Sequence, residues 1–294
     1  MTIPSTHSTP STPSNPSNSS IPLPRRRRIL IVHAQPEPTS LTRSMVDTAR
    51  QAFEAQGHEV MASDLYAMQW KAVYDEQDFP QRLDPTRLSF VAESGHAYGG
   101  GTQPPEVVEE QRKLLAADLV ILQFPLWWFG MPAIMKGWID RVWAYGLAYG
   151  YRGAGNRHRY GEGGLHGRRA LLSVTTGGPA QDYGPRGING PLDQLLFPIT
   201  HGTLFYPGME VLRTHAVHGA GRMDAAAVQD TLATWAQRLN GVFEETPIGY
   251  RPQNGGDFDE RRHALQAHVA PGVEGFAAHL LPPSPAGELH LMEG

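Results

Sequence analysis

Short apolar runs alternate with longer amphipathic segments through most of the chain. Five runs predict strands at 29–34, 59–65, 118–123, 168–175 and 209–217. The run at 118–123 has the length and composition of a parallel strand buried on both faces, whereas 59–65 alternates between apolar and polar residues. Segments with apolar residues at helical spacing predict helices at 41–56, 105–117, 132–145, 191–200 and 224–239. Because strands and helices alternate along the chain, the sequence predicts an α/β fold with a doubly wound five-stranded parallel sheet and helices on both faces.

The composition divides the chain into three regions. Residues 1–27 are mostly Ser, Thr, Pro and Asn followed by arginines, so they cannot bury enough apolar surface to order themselves, and we expect a disordered tail. Residues 28–247 contain all the predicted strands and helices, although 66–103 is polar and is expected to form a long excursion from the sheet. Residues 248–294 show no clear period, and we expect a peripheral extension that wraps the domain or meets a partner.

Composition and charge exclude several classes of protein. The 294 residues contain no cysteine, which excludes disulfides, thiol catalysis and cysteine-ligated metal centres and fits a reducing compartment, so we expect a cytoplasmic protein. The formal charge of −4 gives no electrostatic reason to expect nucleic acid as a partner. Polar residues, proline and glycine interrupt the apolar segment 119–135, so no membrane span is predicted.

The loop after the third strand carries the strongest functional signal. Pro125 and Leu126 lead into three aromatic residues, Trp127, Trp128 and Phe129, directly after a buried strand. Ligands of open α/β sheets bind outside the carboxyl ends of the strands, and aromatic rings there favour a flat conjugated ligand, with a flavin as the leading candidate. The alternative is that these rings belong to the core or to an interface.

The loop after the first strand gathers hydroxyl groups where a helix begins. Thr39, Ser40 and Thr42 lie at this position, and free backbone amides together with the helix dipole make it a natural phosphate site. Ordinary capping of the helix by serine or threonine explains the same residues. The segment alone leaves both interpretations open.

The fourth strand ends in a glycine pair. Thr175 and Thr176 precede Gly177 and Gly178, and glycines at such a place can aim backbone N–H groups at an anionic centre, such as the N1 and O2 edge of a flavin. A glycine pair is also a common turn. Three strand ends with complementary features are a stronger signal than any one of them.

Other motifs lack the context that their chemistry needs. The glycine-rich run 153–167 precedes a strand, whereas a dinucleotide fingerprint follows one. His215 and His218 have no acidic third ligand near them in sequence, so no metal site is predicted. Nucleophile-elbow and Walker motifs are absent from the sequence, which argues against a hydrolase or a nucleotide triphosphatase.

With these strand ends identified, the chain resembles the NAD(P)H:quinone oxidoreductase family of flavodoxin-like flavoproteins, which includes DT-diaphorase and bacterial modulators of drug activity. The resemblance covers about 28–247, and its most specific segments are 63–68, 117–120, 123–141 and 173–178. The long match within 124–141 is specific, whereas a lone Thr-Gly-Gly is weak.

The resemblance implies a flavodoxin-like fold and a homodimer with FAD, rather than FMN, at each subunit interface. It implies two-electron reduction of quinones by alternating hydride transfers, with NAD(P)H as the donor. By position, Thr39, Ser40 and Thr42 match the pyrophosphate site; Pro125, Leu126, Trp128 and Phe129 match the isoalloxazine site; and Thr175, Gly177, Gly178 and Tyr183 match the N1 and O2 edge. Tyr149 and Tyr151 match aromatic residues that border the substrate cavity.

Two departures from the family pattern bear on function. Gln35 stands where family members often have a histidine after the first strand, which places a neutral amide at the pyrophosphate site. Asn189 stands where DT-diaphorase has a catalytic histidine paired with the tyrosine, here Tyr183. An amide can donate a hydrogen bond to an anion but cannot store a proton, so a tyrosine–histidine relay does not carry over to these two positions.

Alternatives of other kinds remain at this stage. An azo- or nitro-compound reductase would use the same flavin and cavity, and the sequence does not separate it from a quinone reductase. A flavin-binding electron carrier that does not oxidise nicotinamide is favoured by Asn189 and opposed by Tyr149 and Tyr151. The physiological acceptor and the choice between NADH and NADPH are not encoded in any recognisable motif.

Overall fold

A parallel sheet forms the centre of the protein, whose computed structural model describes residues 25–282. Its strands are β1 (Arg28–His33), β2 (Glu59–Asp64), β3 (Leu119–Pro125), β4 (Arg169–Thr175), β5 (Glu210–Val211) and β6 (His215–Val217). The order is β2-β1-β3-β4-β5, with β6 also pairing with β4, and every pair of strands is parallel. The predicted fold class is confirmed, and the part of the expected disordered tail up to residue 24 lies outside the described residues.

The central strands are continuous apolar runs because both of their faces are covered. All seven residues of β3 are buried. Its alternate side chains enter two separate core clusters, with Val120 and Leu122 on one face and Leu119 and Ile121 on the other. This division follows from the two-residue repeat of a strand, and it explains why the strand shows no polar face in the sequence.

Helices cover both faces of the sheet. The α-helices are α1 (Leu41–Ala55), α2 (Phe90–Gly100), α3 (Pro105–Ala116), α4 (Ala133–Val142), α5 (Leu192–Leu195), α6 (Phe197–Ile199) and α7 (Ala225–Asn240). Phe53 of α1 and Trp235 of α7 fill one core cluster, while Leu114 of α3 and Trp138 of α4 fill the other. Among residues 25–282 there is no helix of sufficient length and apolar character to span a bilayer.

The predicted fifth strand is interrupted. Val211 of β5 pairs with Ala170, and His215 of β6 pairs with Ser173. Between these two pairs the edge strand advances by four residues, while β4 advances by three. One extra residue therefore bulges from the edge strand, and such bulges re-aim the side chains that follow them. The sequence prediction of one unbroken strand at 209–217 was wrong in this respect.

Two helical regions also differ from prediction. The excursion at 66–103 contains α2, which the sequence did not reveal because its glycines disfavour a helix. Gly95 of α2 permits a close approach, since a Cβ there would lie 2.9 Å from the ring of Tyr145. The helix predicted at 191–200 is divided at Leu196, because Pro198 lacks the backbone donor that would continue the helix. It then continues as a π-helix over Thr200–Phe205.

A buried carboxylate joins β2 to α3 and α4. Glu110 is fully buried and accepts hydrogen bonds from the Ser63 hydroxyl at 2.6 Å, the Trp138 indole at 2.8 Å and the Lys113 ammonium at 2.6 Å. A charged group without these donors would be costly to bury. The network therefore fixes α3 and α4 against the edge of the sheet.

The described part of the C-terminal extension packs on the helical region 197–205. Phe276 stacks on Phe197 with ring centroids 4.4 Å apart, and His279 lies 4.9 Å from His201. The Tyr250 hydroxyl donates a hydrogen bond of 2.8 Å to Thr200 Oγ1. Burial, and secondarily the neighbouring His279, lowers the pKa of His201 to about 4.

Candidate functional site

The carboxyl ends of β1, β3 and β4 meet at one edge of the sheet. The backbone N–H of Leu126, after β3, donates to the carbonyl of Thr175 at 2.8 Å. The hydroxyl of Thr42, in the first turn of α1, lies 2.9 Å from the hydroxyl of Thr175, and both side chains are buried. Parallel neighbours in the sheet thus bring the three loops identified in the sequence to one place.

Residues 127–130 form a tight turn, here named the aromatic turn. The backbone groups of Trp127 and Gly130 exchange hydrogen bonds of 3.1 and 3.0 Å. The two central residues, Trp128 and Phe129, both have positive φ, 49° and 61°. Each bulky residue in this region is disfavoured by about 1–2 kcal/mol, and turns of this kind normally carry Asn and Gly.

The strained aromatic turn does not serve the core of the single chain. Trp128 is 97% exposed, while Trp127 and Phe129 are 42% and 47% exposed. An apolar surface of this kind marks a ligand or partner site. The geometry therefore favours the ligand or interface interpretation of these rings over the core interpretation.

In the loop after β1, the carboxylate of Glu37 occupies the hydrogen-bond donors of Thr39. The backbone N–H and the hydroxyl of Thr39 donate to the carboxylate of Glu37 at 2.9 and 2.7 Å. These two hydrogen bonds hold the pKa of Glu37 below its ordinary value. Ser40 is the N-cap of α1 and accepts a hydrogen bond from the backbone of Arg43, as the capping interpretation predicts. The donors of Thr39 therefore suit an anion, whereas Ser40 and the buried Thr42 are engaged within the protein.

His33 and Gln35 lie on either side of Ala34, which directly follows β1. His33 is buried, and its Nε2 lies 3.7 Å from the carboxylate of Asp64, which also accepts from Arg43. Burial lowers the pKa of His33, which favours its neutral form. The amide oxygen of Gln35 accepts the backbone N–H of Glu37 at 3.2 Å. Gln35 is thus positioned to shape the loop that holds Glu37.

Thr175 to Gly178 form a second tight feature, here named the glycine turn. The carbonyl of Gly178 accepts from the Thr176 hydroxyl and from the backbone N–H of Gly219, both at 2.9 Å. A Cβ on Gly177 would meet nothing within 4 Å, whereas a Cβ on Gly178 would lie 3.1 Å from the ring of Tyr183. The hydrogen bonds from Thr176 and Gly219 therefore fix the turn at Gly178, while the space around Gly177 stays open.

Tyr183 and Asn189 lie on the segment that follows the glycine turn. The Tyr183 ring is half-buried and lies 5.3 Å from the ring of His218. The backbone N–H of Asn189 donates to the carbonyl of Asp182 at 2.9 Å, which folds this segment back on itself. Ile188, beside Asn189, is 91% exposed. The structure thus places Tyr183 against the glycine turn and Asn189 one loop further out.

Tyr149 and Tyr151 pack in a different part of the protomer. Tyr149 lies edge-on to Tyr145 with ring centroids 5.4 Å apart, and Tyr151 lies against His158 and Arg152. An open cavity of about 610 Å³ borders this region, between α2 and the loop at 145–153. These tyrosines are not brought to the strand ends by the contacts of one chain.

Three residues at the strand ends were not identified as site residues from the sequence. The carboxylate of Glu37 accepts a hydrogen bond from the hydroxyl of Thr39. Arg222 donates to the carbonyl of Gly177 at 3.2 Å, and the His218 ring forms a hydrogen bond with the hydroxyl of Thr176 at 3.0 Å. His218 was considered only as a metal ligand; the described residues contain no group of three or more potential ligands around it. Its position directly after an edge strand was the signal that could have identified it.

Comparison with known proteins gives consistent relatives. A model of the flavodoxin-like fold matches residues 27–239. A ribosyldihydronicotinamide dehydrogenase-like protein, traD, of Penicillium crustosum is 42% identical over 86% of this chain and 95% of its own length. NAD(P)H dehydrogenase (quinone) 1 of Cavia porcellus is 39% identical over 78% of this chain and 82% of its own length.

A solved structure supports the same assignment. A protein from Klebsiella pneumoniae, described as a quinone reductase, is 48% identical and superposes with a TM-score of 0.84. The match covers 87% of this chain and 100% of that chain. The family match over residues 27–239 includes every strand of the sheet described above.

Proposed function

The chain belongs to the flavodoxin-like family of NAD(P)H:quinone oxidoreductases, and on that basis we propose that it uses FAD to transfer hydride from NAD(P)H to quinones. The observation that carries the proposal is the shared position of three features at one sheet edge. They are the exposed aromatic turn, the glycine turn with Tyr183, and the anion-holding donors of Thr39. Together they suit a tricyclic ring with an attached pyrophosphate.

The residues present fit such a cofactor. Trp128 and Phe129 offer aromatic surface that the single chain does not bury, and the partly buried Leu126 continues this apolar surface. Pro125 is buried at the end of β3, and its ring restricts the backbone that leads into the turn. Gly177 is exposed and has open space where a side chain would stand, so a flat ring edge can approach its backbone. Thr39 supplies two donors for a phosphate, provided that the carboxylate of Glu37 moves aside. These are the groups that we assign to FAD, with FMN needing only the part nearer the sheet.

When bound, a flavin accepts a hydride from nicotinamide and passes it to an acceptor. The contribution of the protein is to position flat reactants and to stabilise negative charge at the site. The glycine turn supplies fixed backbone dipoles, and Tyr183 supplies a phenol hydroxyl beside them. Asn189 can donate a hydrogen bond near this edge, but its amide cannot bind the proton that balances a charge change.

We further propose that the working unit is a homodimer. Trp128 and Ile188 leave apolar surface exposed near the strand ends, whereas Tyr149 and Tyr151 pack elsewhere in the same protomer. A second copy would cover the first pair and could bring the second pair to the cavity as substrate contacts. The partners we assign are thus a second copy of the chain and a small quinone-like molecule, in a cytoplasmic protein.

The function is tested by flavin analysis and turnover together. Purified protein reconstituted with FAD should oxidise NADH or NADPH rapidly, and turnover should require a benzoquinone or naphthoquinone. Heat-released flavin is identified by chromatography, which distinguishes FAD from FMN. Protein that binds flavin but shows no acceptor-dependent turnover with either nucleotide would contradict the proposal.

Rapid mixing with NADPH in the absence of acceptor separates a reductase from an electron carrier. A reductase loses the flavin absorbance within the mixing experiment, whereas a carrier stays oxidised. Replacing the quinone by an azo dye or a nitroaromatic compound in the steady-state assay measures acceptor preference. We expect the ratio kcat/KM to be highest for the quinone.

A further inference from the structure

The ring of His218 contacts both parts of the N1 and O2 edge assigned above. Its Nδ1 lies 3.0 Å from the hydroxyl of Thr176, in the glycine turn. Its ring lies 5.3 Å from the ring of Tyr183, with an angle of 31° between the planes. His218 directly follows β6, and the adjacent N–H of Gly219 donates to the carbonyl of Gly178. The histidine is therefore built into the support of the glycine turn.

The hydrogen bonds of Thr176 determine which ring nitrogen carries the proton. The hydroxyl of Thr176 has one hydrogen, and it donates this hydrogen to the carbonyl of Gly178 at 2.9 Å. The same oxygen must then accept from His218 Nδ1. Neutral His218 is consequently protonated on Nδ1 and carries its lone pair on Nε2.

The surroundings of His218 leave it free to titrate. Tyr183 faces it from the segment after the glycine turn. The charged side chains nearby contact the glycine turn instead, with Asp182 beside Gly178 and Arg222 on the carbonyl of Gly177. Partial burial lowers the pKa of His218 from its ordinary value. The ring is half-buried, so a proton from water can reach it.

We propose that His218 is the titratable positioning residue of this site, and that a proton taken up at its Nε2 places a positive charge beside the glycine turn. This inference rests on the proposed function, which puts an anionic ring edge at that turn. Asn189 cannot supply such a charge, because an amide does not titrate. The charge of His218 stabilises an anion at Gly177 and Gly178 below its pKa and is lost above it.

The assigned tautomer is testable without flavin. The ¹⁵N chemical shifts of flavin-free protein should show the neutral His218 ring protonated on Nδ1. Thr176→Val removes the accepting oxygen and should abolish this preference, while Thr176→Ser keeps the hydroxyl and should retain it. A wild-type ring protonated on Nε2, or a tautomer unchanged in T176V, would overturn the geometric basis of the inference.

The effect of the charge is tested on the flavin-loaded protein. The midpoint potential of the bound flavin, measured against pH, should change slope near the His218 pKa obtained by NMR. His218→Asn keeps a donor for Thr176 but cannot titrate, so this change of slope should disappear. His218→Phe keeps the ring against Tyr183 and should also lose it. A change of slope that survives in H218N contradicts the proposal.

A matched control is available at the opposite edge of the sheet. His166 is exposed and precedes β4, so it lies at the amino ends of the strands. His166→Asn should leave the potential and its slope unchanged. Absence of flavin binding or of nicotinamide oxidation would contradict the proposed function. The tautomer of His218 is measured on flavin-free protein, so that result does not depend on the proposed function. An equal effect of H166N and H218N would overturn the role of His218.

Discussion

Replacing Trp128 by glycine should separate the stability of the chain from its affinity for flavin. Trp128 is 97% exposed and adopts a φ of 49°. Its side chain contributes little packing within the protomer, and its backbone is strained. The substitution therefore removes a proposed ligand surface without opening a cavity in the core.

The magnitudes follow from these two properties. Relief of left-handed strain contributes about 1–2 kcal/mol of stability, and the added flexibility of glycine in the unfolded chain removes about 0.5–1 kcal/mol. The free energy of unfolding of flavin-free protein should thus stay the same or rise by about 1 kcal/mol. Loss of one aromatic stacking contact, worth about 1–3 kcal/mol, should raise the flavin Kd by about tenfold to a hundredfold.

Gln69→Gly provides the matched control. Gln69 is also exposed and has a φ of 51°, but it follows β2 rather than one of the three strands whose loops are assigned to the flavin. Urea unfolding of flavin-free monomeric protein should show similar small changes in both variants, while flavin titration should show weaker binding only in W128G. A loss of more than about 2 kcal/mol in W128G would mean that Trp128 supports the fold. An unchanged flavin affinity would remove the ring from the site.

Further predictions address the pyrophosphate loop, the buried carboxylate and acid stability. Glu37→Gln should bind FAD several-fold more tightly in a titration at low salt, because the donors of Thr39 lose a competing anion; weaker binding would refute this competition. Glu110→Ala should lower the free energy of unfolding by about 3 kcal/mol in urea, since three donors lose their buried acceptor. The exposed Glu109→Ala should leave the free energy of unfolding nearly unchanged. His201 has a folded-state pKa of about 4, below the ordinary value of 6.5, so its neutral form contributes stability above pH 6.5 that falls as pH decreases towards 4, by about 3 kcal/mol in all. Urea unfolding at pH 7 and pH 4.5 should show a smaller acid loss in His201→Phe, and an equal loss would assign acid sensitivity to other groups.

The central strands and the loops after them could be predicted from the sequence because burial on both faces leaves uninterrupted apolar runs. β3 illustrates this, since all seven of its residues are buried and the aromatic turn follows it directly. Strand alternation then places the ends of β1, β3 and β4 at one edge. The position of the candidate site is therefore a consequence of topology alone.

Other features depend on contacts that leave no local pattern. The bulge between Val211 and His215 adds one residue, and no glycine or proline marks it in the sequence, so the pattern predicts a continuous strand. α2 is stabilised by its packing on Tyr145 rather than by helix propensity. The hydrogen bond between Thr176 and His218 joins residues 42 positions apart, and the local sequence around either residue does not predict this contact.

The most direct test is a crystal structure of the protein grown with excess FAD. We expect a flavin ring held between the aromatic turn at 127–130 and the glycine turn at 175–178, with the Glu37 carboxylate displaced from Thr39. A structure in which Trp127 and Trp128 turn into the core and protein fills the space between the turns would contradict it.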